Sequence, residues 1–247
     1  ALGSHTGAMF ESYAGEPENH GILILDNEQL FEQGCLATRC GLSLAVHAIG
    51  DRAVHEVLEG FARLRAYERE CGLPALRHRI EHLQTIRPGD TGRLAELDII
   101  ASMQPVHVPS DMQVADRLLG KRAAFSYAWR SLAQQGVRLA FGSDAPVESP
   151  NPFRGLHAAI TRRRSDGSPG PEGWFPEQRL TIREALEGFT LGPAFAAGME
   201  DCLGRLSAGF LADLIVLETD PFTCNPADLY GIQPTAPMVG GEWVWQS

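Results

Sequence analysis

Two histidines and one aspartate stand at the ends of separate apolar stretches. His47 lies near the end of the apolar run at residues 42–49, His82 closes the segment "RIEH", and Asp144 follows the apolar stretch at 137–141. Two neutral imidazoles and a carboxylate form a ligand set that a divalent metal such as zinc accepts in a hydrolytic site. A bound metal lowers the pKa of its water towards neutrality and polarises a carbonyl, which allows hydrolysis near pH 7. The three side chains predict a metal-dependent hydrolase if they meet. Taken singly, each residue also has a structural explanation: either histidine as a hydrogen-bonded structural residue, and the aspartate as a helix cap.

A repeating strand–helix pattern would carry these side chains to one edge of a sheet. The run at 42–49 predicts a strand, and Asp51 then opens a segment whose apolar residues recur at helical spacing. Further strands are predicted in residues 76–84, 99–105 and 137–146, with helices in residues 88–98 and 126–136. Alternating βα units predict a parallel sheet buried on both faces, either a barrel or a doubly wound sheet. Polar residues at the carboxyl ends of the strands favour the barrel, which builds active sites there.

Two other motifs suggest different chemistry. His78, Glu81 and His82 spell H-x-x-E-H, a zinc-binding pattern when it lies on a helix. The segment falls where the alternation predicts a strand, and there His78 and His82 would share one face while Glu81 points to the other. Ser143 in "GSDAP" lacks the G-x-S-x-G turn of a serine nucleophile. Neither a helical zinc peptidase nor a serine hydrolase is therefore expected.

The bulk composition excludes several classes of protein. The 247 residues are 44% hydrophobic and 21% charged, as in soluble globular proteins, and no stretch approaches the roughly 18 unbroken apolar residues of a membrane span. A net charge of −10 disfavours nucleic-acid and membrane partners, and the basic run at 162–164 is expected to be a solvated helix end. Five cysteines without C-x-x-C spacing argue against a disulfide framework and fit the cytoplasm.

Five ordered motifs resemble the C-terminal half of a family-three amidohydrolase, the group that includes N-substituted formamide deformylase. They are "SLAVHAIGDRAV", "RIEHLQ", "SMQPVHVPSDM", "AWRSLAQQGVRLAFGSDAPVESPNPF" and "GRLSAGFLADLIVLE". The resemblance implies an α/β fold, the C-terminal half of a (β/α)8 TIM-type barrel of the metal-dependent hydrolase superfamily, with C-terminal strands of a small β-sandwich. It implies barrel residues 1–200, sandwich residues 201–247, and a divalent metal, commonly zinc, with one or two ions in the full-length enzyme.

The same resemblance assigns roles to four side chains. His47 and His82 correspond to the metal ligands after the fifth and sixth strands. Asp144 corresponds to the aspartate after the eighth strand, which binds metal and takes a proton from the attacking water. His107 matches a position that faces the substrate, where it would polarise the scissile carbonyl; a histidine steadying a surface loop is the alternative. Four more residues fall at motif positions on the active-site side, with capping or packing roles open to each: Asp51, Asp111, Arg122 and Tyr127.

The chain departs from the family pattern in its first half. The first-strand H-x-H pair and the fourth-strand lysine, carboxylated to bridge two metals, have no counterpart. We therefore expect a truncated half of an enzyme that hydrolyses a non-peptide carbon–nitrogen bond in a small amide or formamide, with this piece weak or inactive alone. One alternative is an inactive remnant that serves as an assembly or structural module. Another is a hydrolase of the same fold acting on a ring amide or a C–O bond.

Four strands cannot close a barrel and would leave apolar edges open. A homo-oligomer, or pairing with the missing N-terminal half, is expected for that reason. The Gly- and Pro-rich stretch at 162–179 carries Trp174 and Phe175 and is a candidate for a loop that covers the pocket, with a plain surface excursion as the alternative.

Overall fold

Helices and strands alternate along most of the chain in the computed structural model, which describes residues 1–245. The helices are α1 (Asn27–Arg39), α2 (Asp51–Glu70), α3 (Arg93–Glu96), α4 (Val108–Leu119), α5 (Trp129–Gln134), α6 (Pro152–Thr161), α7 (Ile182–Phe189) and α8 (Leu191–Ala196). The strands are β1 (Ala45–Ala48), β2 (Arg79–His82), β3 (Ile100–Met103), β4 (Leu139–Phe141), β5 (Leu214–Val216), β6 (Ala236–Val239) and β7 (Glu242–Trp243). Within the described range, no helix combines the length and apolar character needed to cross a membrane.

The first four strands form one sheet in the order β1-β2-β3-β4. β1 and β2 run parallel, with Ala48 opposite His82, and β2 and β3 also run parallel. The stretch leading into β4 joins the sheet through a 2.9 Å hydrogen bond from the Ala101 N–H to the Arg138 carbonyl. The predicted parallel sheet within an α/β fold is confirmed.

Two details of this sheet differ from the sequence prediction. The helix predicted in residues 88–98 is a 3-10 turn, Pro88–Asp90, followed by the single-turn helix α3. Gly89 and Gly92 weaken helix propensity there. β1 was expected to be buried on both faces, but Ala45 and His47 are exposed whereas Ala48 is buried. One face of this end strand is therefore open.

The chain divides into two compact units. The first comprises residues 1–103 and 110–139, and the second comprises residues 104–109 with the chain from 140 onward. In the first unit, Val54, Leu58, Phe61 and Leu64 form a fully buried stripe along α2, and α1 packs on the same helix. The predicted boundary at residue 200 stays a prediction.

The N-terminal segment caps α2. Gly50 precedes this helix and offers no side-chain cap, so the carbonyl of Ala8 accepts hydrogen bonds from the N–H groups of Arg52 at 3.0 Å and Ala53 at 3.2 Å. These two donors have no partner inside the helix, because they belong to its first turn. The Ala8 carbonyl approaches so closely that a Cβ on Gly50 would lie 2.1 Å from it. Only glycine therefore fits at position 50 without displacing the Ala8 carbonyl.

The second unit contains α6 to α8 and an antiparallel sheet in the order β5-β6-β7. The β6–β7 hairpin turns at Gly240 and Gly241, whose φ angles are 59° and 86°. Two positive φ angles in a two-residue loop are typical of the type I′ hairpin turn, which favours glycine. The expected C-terminal strands are present here, whereas the β-sandwich stays a prediction.

The expectation of a solvated helix end at 162–164 is wrong for Arg162. This residue ends α6 with a left-handed φ of 51° and is fully buried. Its Nε donates to the carbonyl of Trp174 at 2.6 Å, and its guanidinium lies 4.8 Å from the Trp174 ring centroid. A buried guanidinium needs such partners. Trp174 is itself buried, so this part of residues 162–179 is packed.

Replacing Gly50 with alanine is expected to lower the free energy of unfolding by about 1–3 kcal/mol, the range for forcing an extra carbon into a packed site. Urea unfolding followed by circular dichroism measures this change. Gly89→Ala is the matched control, because a Cβ at Gly89 meets nothing within 4 Å. Equal stability of the two variants would contradict the close approach of Ala8.

The stability of the second unit is expected to fall in mild acid because of His157. Burial first, and then the charge of Arg163, lower the pKa of this histidine. A histidine in the unfolded chain titrates near pH 6.5. Below about that pH the unfolded chain binds a proton at His157 that the folded chain does not bind, which favours unfolding. The contribution is present above about pH 6.5 and is lost as the pH falls towards the lowered folded pKa. His157→Phe should reduce the pH slope of the urea midpoint between about pH 5.5 and 7; an unchanged slope would contradict this assignment.

Candidate metal centre

Two imidazoles lie side by side at the carboxyl ends of β1 and β2. His47 is the third residue of β1, and His82 is the last residue of β2. Parallel pairing sets His47 beside Glu81 and Ala48 beside His82, so a regular strand would turn His82 to the face opposite His47. His82 departs from that pattern with a φ of 72°, and the two rings lie 4.5 Å apart between centroids in an edge-to-face arrangement of 68°. Two histidine nitrogens in such proximity are compatible with one bound ion.

A second pair of donors lies in the other compact unit. His107 ends the 3-10 turn Pro105–His107, and Asp144 follows β4 by three residues. The Nε2 atom of His107 lies 3.3 Å from the Oδ2 atom of Asp144. His107 is largely buried, whereas the Asp144 side chain is 37% exposed and can meet water. The pair combines an imidazole with a carboxylate, the donor types that zinc binds.

The sequence analysis missed a third group beside His107. Glu148 Oε1 lies 3.8 Å from His107 Nδ1, so the imidazole has a carboxylate near each ring nitrogen. A turn closed by the Val147 N–H and the Asp144 carbonyl, 2.8 Å apart, precedes Glu148. In the sequence, the only indication of a role for Glu148 was its position four residues after Asp144, in "SDAPVE".

Two of the predicted ligands have unusual backbones. His82 has a φ of 72° and Asp144 a φ of 60°, both in the left-handed region that favours glycine. For a residue with a side chain, this region costs on the order of 1–3 kcal/mol, and such residues cluster at active sites and ligand sites. His47 has an ordinary negative φ. The strain at His82 and Asp144 supports a functional use of their side chains.

His78 of the H-x-x-E-H motif is a structural residue. It is fully buried; its Nδ1 accepts a 3.0 Å hydrogen bond from the Leu44 N–H, so its Nε2 carries the hydrogen and donates to Glu68 at 3.0 Å. Burial lowers its pKa, although Glu68 opposes the shift. The motif runs into strand β2, as predicted, and the helical peptidase geometry is absent.

The four other motif residues make contacts within the first unit. Asp51 accepts a 3.0 Å hydrogen bond from the Phe10 N–H, and Asp111 accepts one from the hydroxyl of Tyr127. Arg122 donates to the main-chain carbonyls of residues 11 and 12. These contacts are the capping and packing roles left open by the sequence.

Ser143 accepts a 3.3 Å hydrogen bond from the N–H of Ala145. Its hydroxyl thus takes part in a local turn, which agrees with the expectation that it is not a nucleophile.

Comparison with known proteins identifies relatives along the whole described chain. The sequence profile of the amidohydrolase family matches residues 1–245. Protein LONG AFTER FAR-RED 3 of Arabidopsis thaliana is 34% identical over an alignment of 247 positions that covers 99% of this chain and 41% of that protein. N-substituted formamide deformylase of Arthrobacter pascens is 28% identical over 236 residues, 95% of this chain and 42% of that enzyme. The chain thus spans about two fifths of the length of these relatives.

A solved structure has a similar fold. An uncharacterized metal-dependent hydrolase from Pyrococcus horikoshii OT3 superposes with a TM-score of 0.78 at 30% identity, covering 92% of this chain and 44% of that protein.

The left-handed backbone at Asp144 predicts an ordering of two variants. Asp144→Gly should be more stable than Asp144→Ala by about 1 kcal/mol, because both lose the carboxylate and glycine alone adopts this φ without strain. Asp116 in the exposed face of α4 is the control, where glycine should be less stable than alanine by about 1 kcal/mol. Thermal and urea unfolding of the four variants measure both differences. The same order at both positions would contradict strain at Asp144.

Proposed function

This chain belongs to the amidohydrolase family, and on that premise we propose that it is a metal-dependent hydrolase of a non-peptide carbon–nitrogen bond in a small amide or formamide. The observation that carries the proposal is the adjacent pair His47 and His82 at the ends of neighbouring parallel strands. The relationship to a formamide deformylase and to a metal-dependent hydrolase supports the reaction class.

The proposed ligands are His47, His82 and Asp144. The chemistry of the donors fits a divalent metal: imidazole nitrogens and a carboxylate oxygen suit zinc, the ion we propose. The paired rings and the left-handed backbones at His82 and Asp144 support this assignment within each unit. When bound, the ion would supply an acidified water and a polarised carbonyl.

The chain's own residues would move the protons. Asp144 is half-exposed, so its carboxylate can accept a proton from the attacking water and return it to the leaving nitrogen. His107 would donate a hydrogen bond to the scissile carbonyl, and its burial holds the ring in place. A donor held in place before reaction stabilises the charge that develops on that oxygen.

We further propose that the parallel sheet is the C-terminal half of a (β/α)8 barrel and the antiparallel sheet a part of a β-sandwich. The open end strand β1 and exposed apolar side chains of the first unit, such as Ile22 and Ile24, support self-association or pairing with an N-terminal half. The net charge of −10 supports the absence of nucleic-acid and membrane partners, and five free cysteines support a cytoplasmic location.

Metal binding is the direct test of the ligand set. The purified chain, stripped with chelator and titrated with zinc in a calorimeter, should bind about one ion per chain. His47→Ala, His82→Ala and Asp144→Ala should each weaken binding by at least tenfold. His20→Ala is the control, because His20 is exposed and no ligand role is proposed for it. Binding that survives all three ligand variants, or falls equally in the control, would refute the assignment.

Substrate class is tested with N-formyl amines, N-acyl amines, an Xaa-Pro dipeptide and an aryl ester. Weak turnover of the first two is expected, since the chain spans about two fifths of its relatives. Asp144→Asn should lower kcat by about 10²-fold or more through loss of the proton acceptor. Chelator should abolish turnover and zinc restore it. Turnover that resists chelation, or a preference for the dipeptide or the ester, would overturn the proposal.

A further inference from the structure

We infer that the second unit carries a binding site for a small carboxylate with an apolar tail, in a groove between α7, α8 and the loop before β5. We call it the α7–α8 groove; its volume is about 300 Å³. This is the lower end of the range typical of small-molecule sites. None of its lining residues belongs to the candidate metal centre, so the inference does not depend on the proposed function.

Two guanidinium groups line the α7–α8 groove. Arg183 lies in the first turn of α7, and Arg205 lies in the loop that leads to β5. In the described part of the chain, neither arginine has a carboxylate within ion-pair distance, in contrast to Arg63, which pairs with Glu28. Glu187 also lines the groove but pairs with neither arginine. Two positive charges and one negative charge favour an occupant with a single negative charge.

The rest of the groove is apolar. Leu186, Leu191 and Phe222 contribute to its lining, and the Phe222 side chain is exposed. An inorganic anion would leave these surfaces in water, whereas an aliphatic or aromatic tail would cover them. The occupant that satisfies both halves of the groove is therefore an amphipathic monoanion. A carboxylate suits the arginines, because the guanidinium fork binds its two oxygens together.

Two contacts keep the walls of the groove in place. Gly204 has a φ of 90°, and its backbone packs so tightly that a Cβ there would lie 3.0 Å from the Thr190 carbonyl oxygen. The Arg205 guanidinium rests 5.4 Å from the ring centroid of Phe210. A site whose groups are already oriented loses less entropy on binding. The whole chain has a net charge of −10, so weak unspecific binding of anions is disfavoured.

The test is a calorimetric titration of the full chain with octanoate below its micelle concentration. Saturable binding to one site is expected. Arg183→Ala and Arg205→Ala should each weaken it by at least fivefold, and Phe222→Ala by a smaller factor through loss of apolar contact. All three side chains are exposed, so circular dichroism should show an unchanged fold. Arg117→Ala, an equal change of charge at an exposed position outside the groove, should change binding by less than twofold.

Two comparison ligands separate the contributions of charge and tail. Octanol and octyltrimethylammonium carry the same tail without the carboxylate and should bind at least fivefold more weakly than octanoate. The inference is overturned if the wild-type chain shows no saturable binding of octanoate. It is also overturned if either arginine variant binds as the wild type does, or if octanol binds as tightly as octanoate.

Discussion

Parallel pairing between β1 and β2 is the constraint on which the candidate site of the first unit depends. The register sets His47 beside Glu81, and the left-handed backbone at His82 takes this residue out of the regular strand pattern, so that the imidazoles of His47 and His82 lie beside each other at one edge of the sheet. A shift of one residue would send one ring to the opposite face, because side chains alternate along a strand. The proposed metal binding therefore depends on strand pairing and on the backbone at His82 as much as on the two histidine side chains.

The support for that edge comes from a distant part of the chain. The Ala8 carbonyl closes the first turn of α2, and Asp51 at the start of this helix binds the Phe10 N–H. These contacts hold residues 8–10 against the start of α2, which directly follows the strand that bears His47. The loss of one hydrogen bond at a helix start costs about 1 kcal/mol, which is enough to loosen a local segment without unfolding a domain.

Periodicity predicted the parallel strands and the candidate ligands at their ends, because these features depend on spacing along the chain. It missed Glu148, which reaches His107 only through the turn after Asp144. It also misjudged Arg162, whose burial depends on Trp174 twelve residues later. Contacts of this kind depend on how a loop folds back on the chain, and this loop conformation cannot be predicted from composition or periodicity. The helix predicted in residues 88–98 is shortened to the single-turn α3 for a local reason, because Gly89 and Gly92 lower helix propensity.

The left-handed backbones at His82 and Asp144 also bear on how this chain can evolve. Glycine at either position would relieve torsional strain. In a gene copy that is not selected for catalysis, replacing these two residues with glycine would therefore stabilise the fold. Drift in such a copy is therefore biased towards glycine or asparagine at these two codons. The histidine and the aspartate at these two positions are therefore not explained by folding stability alone.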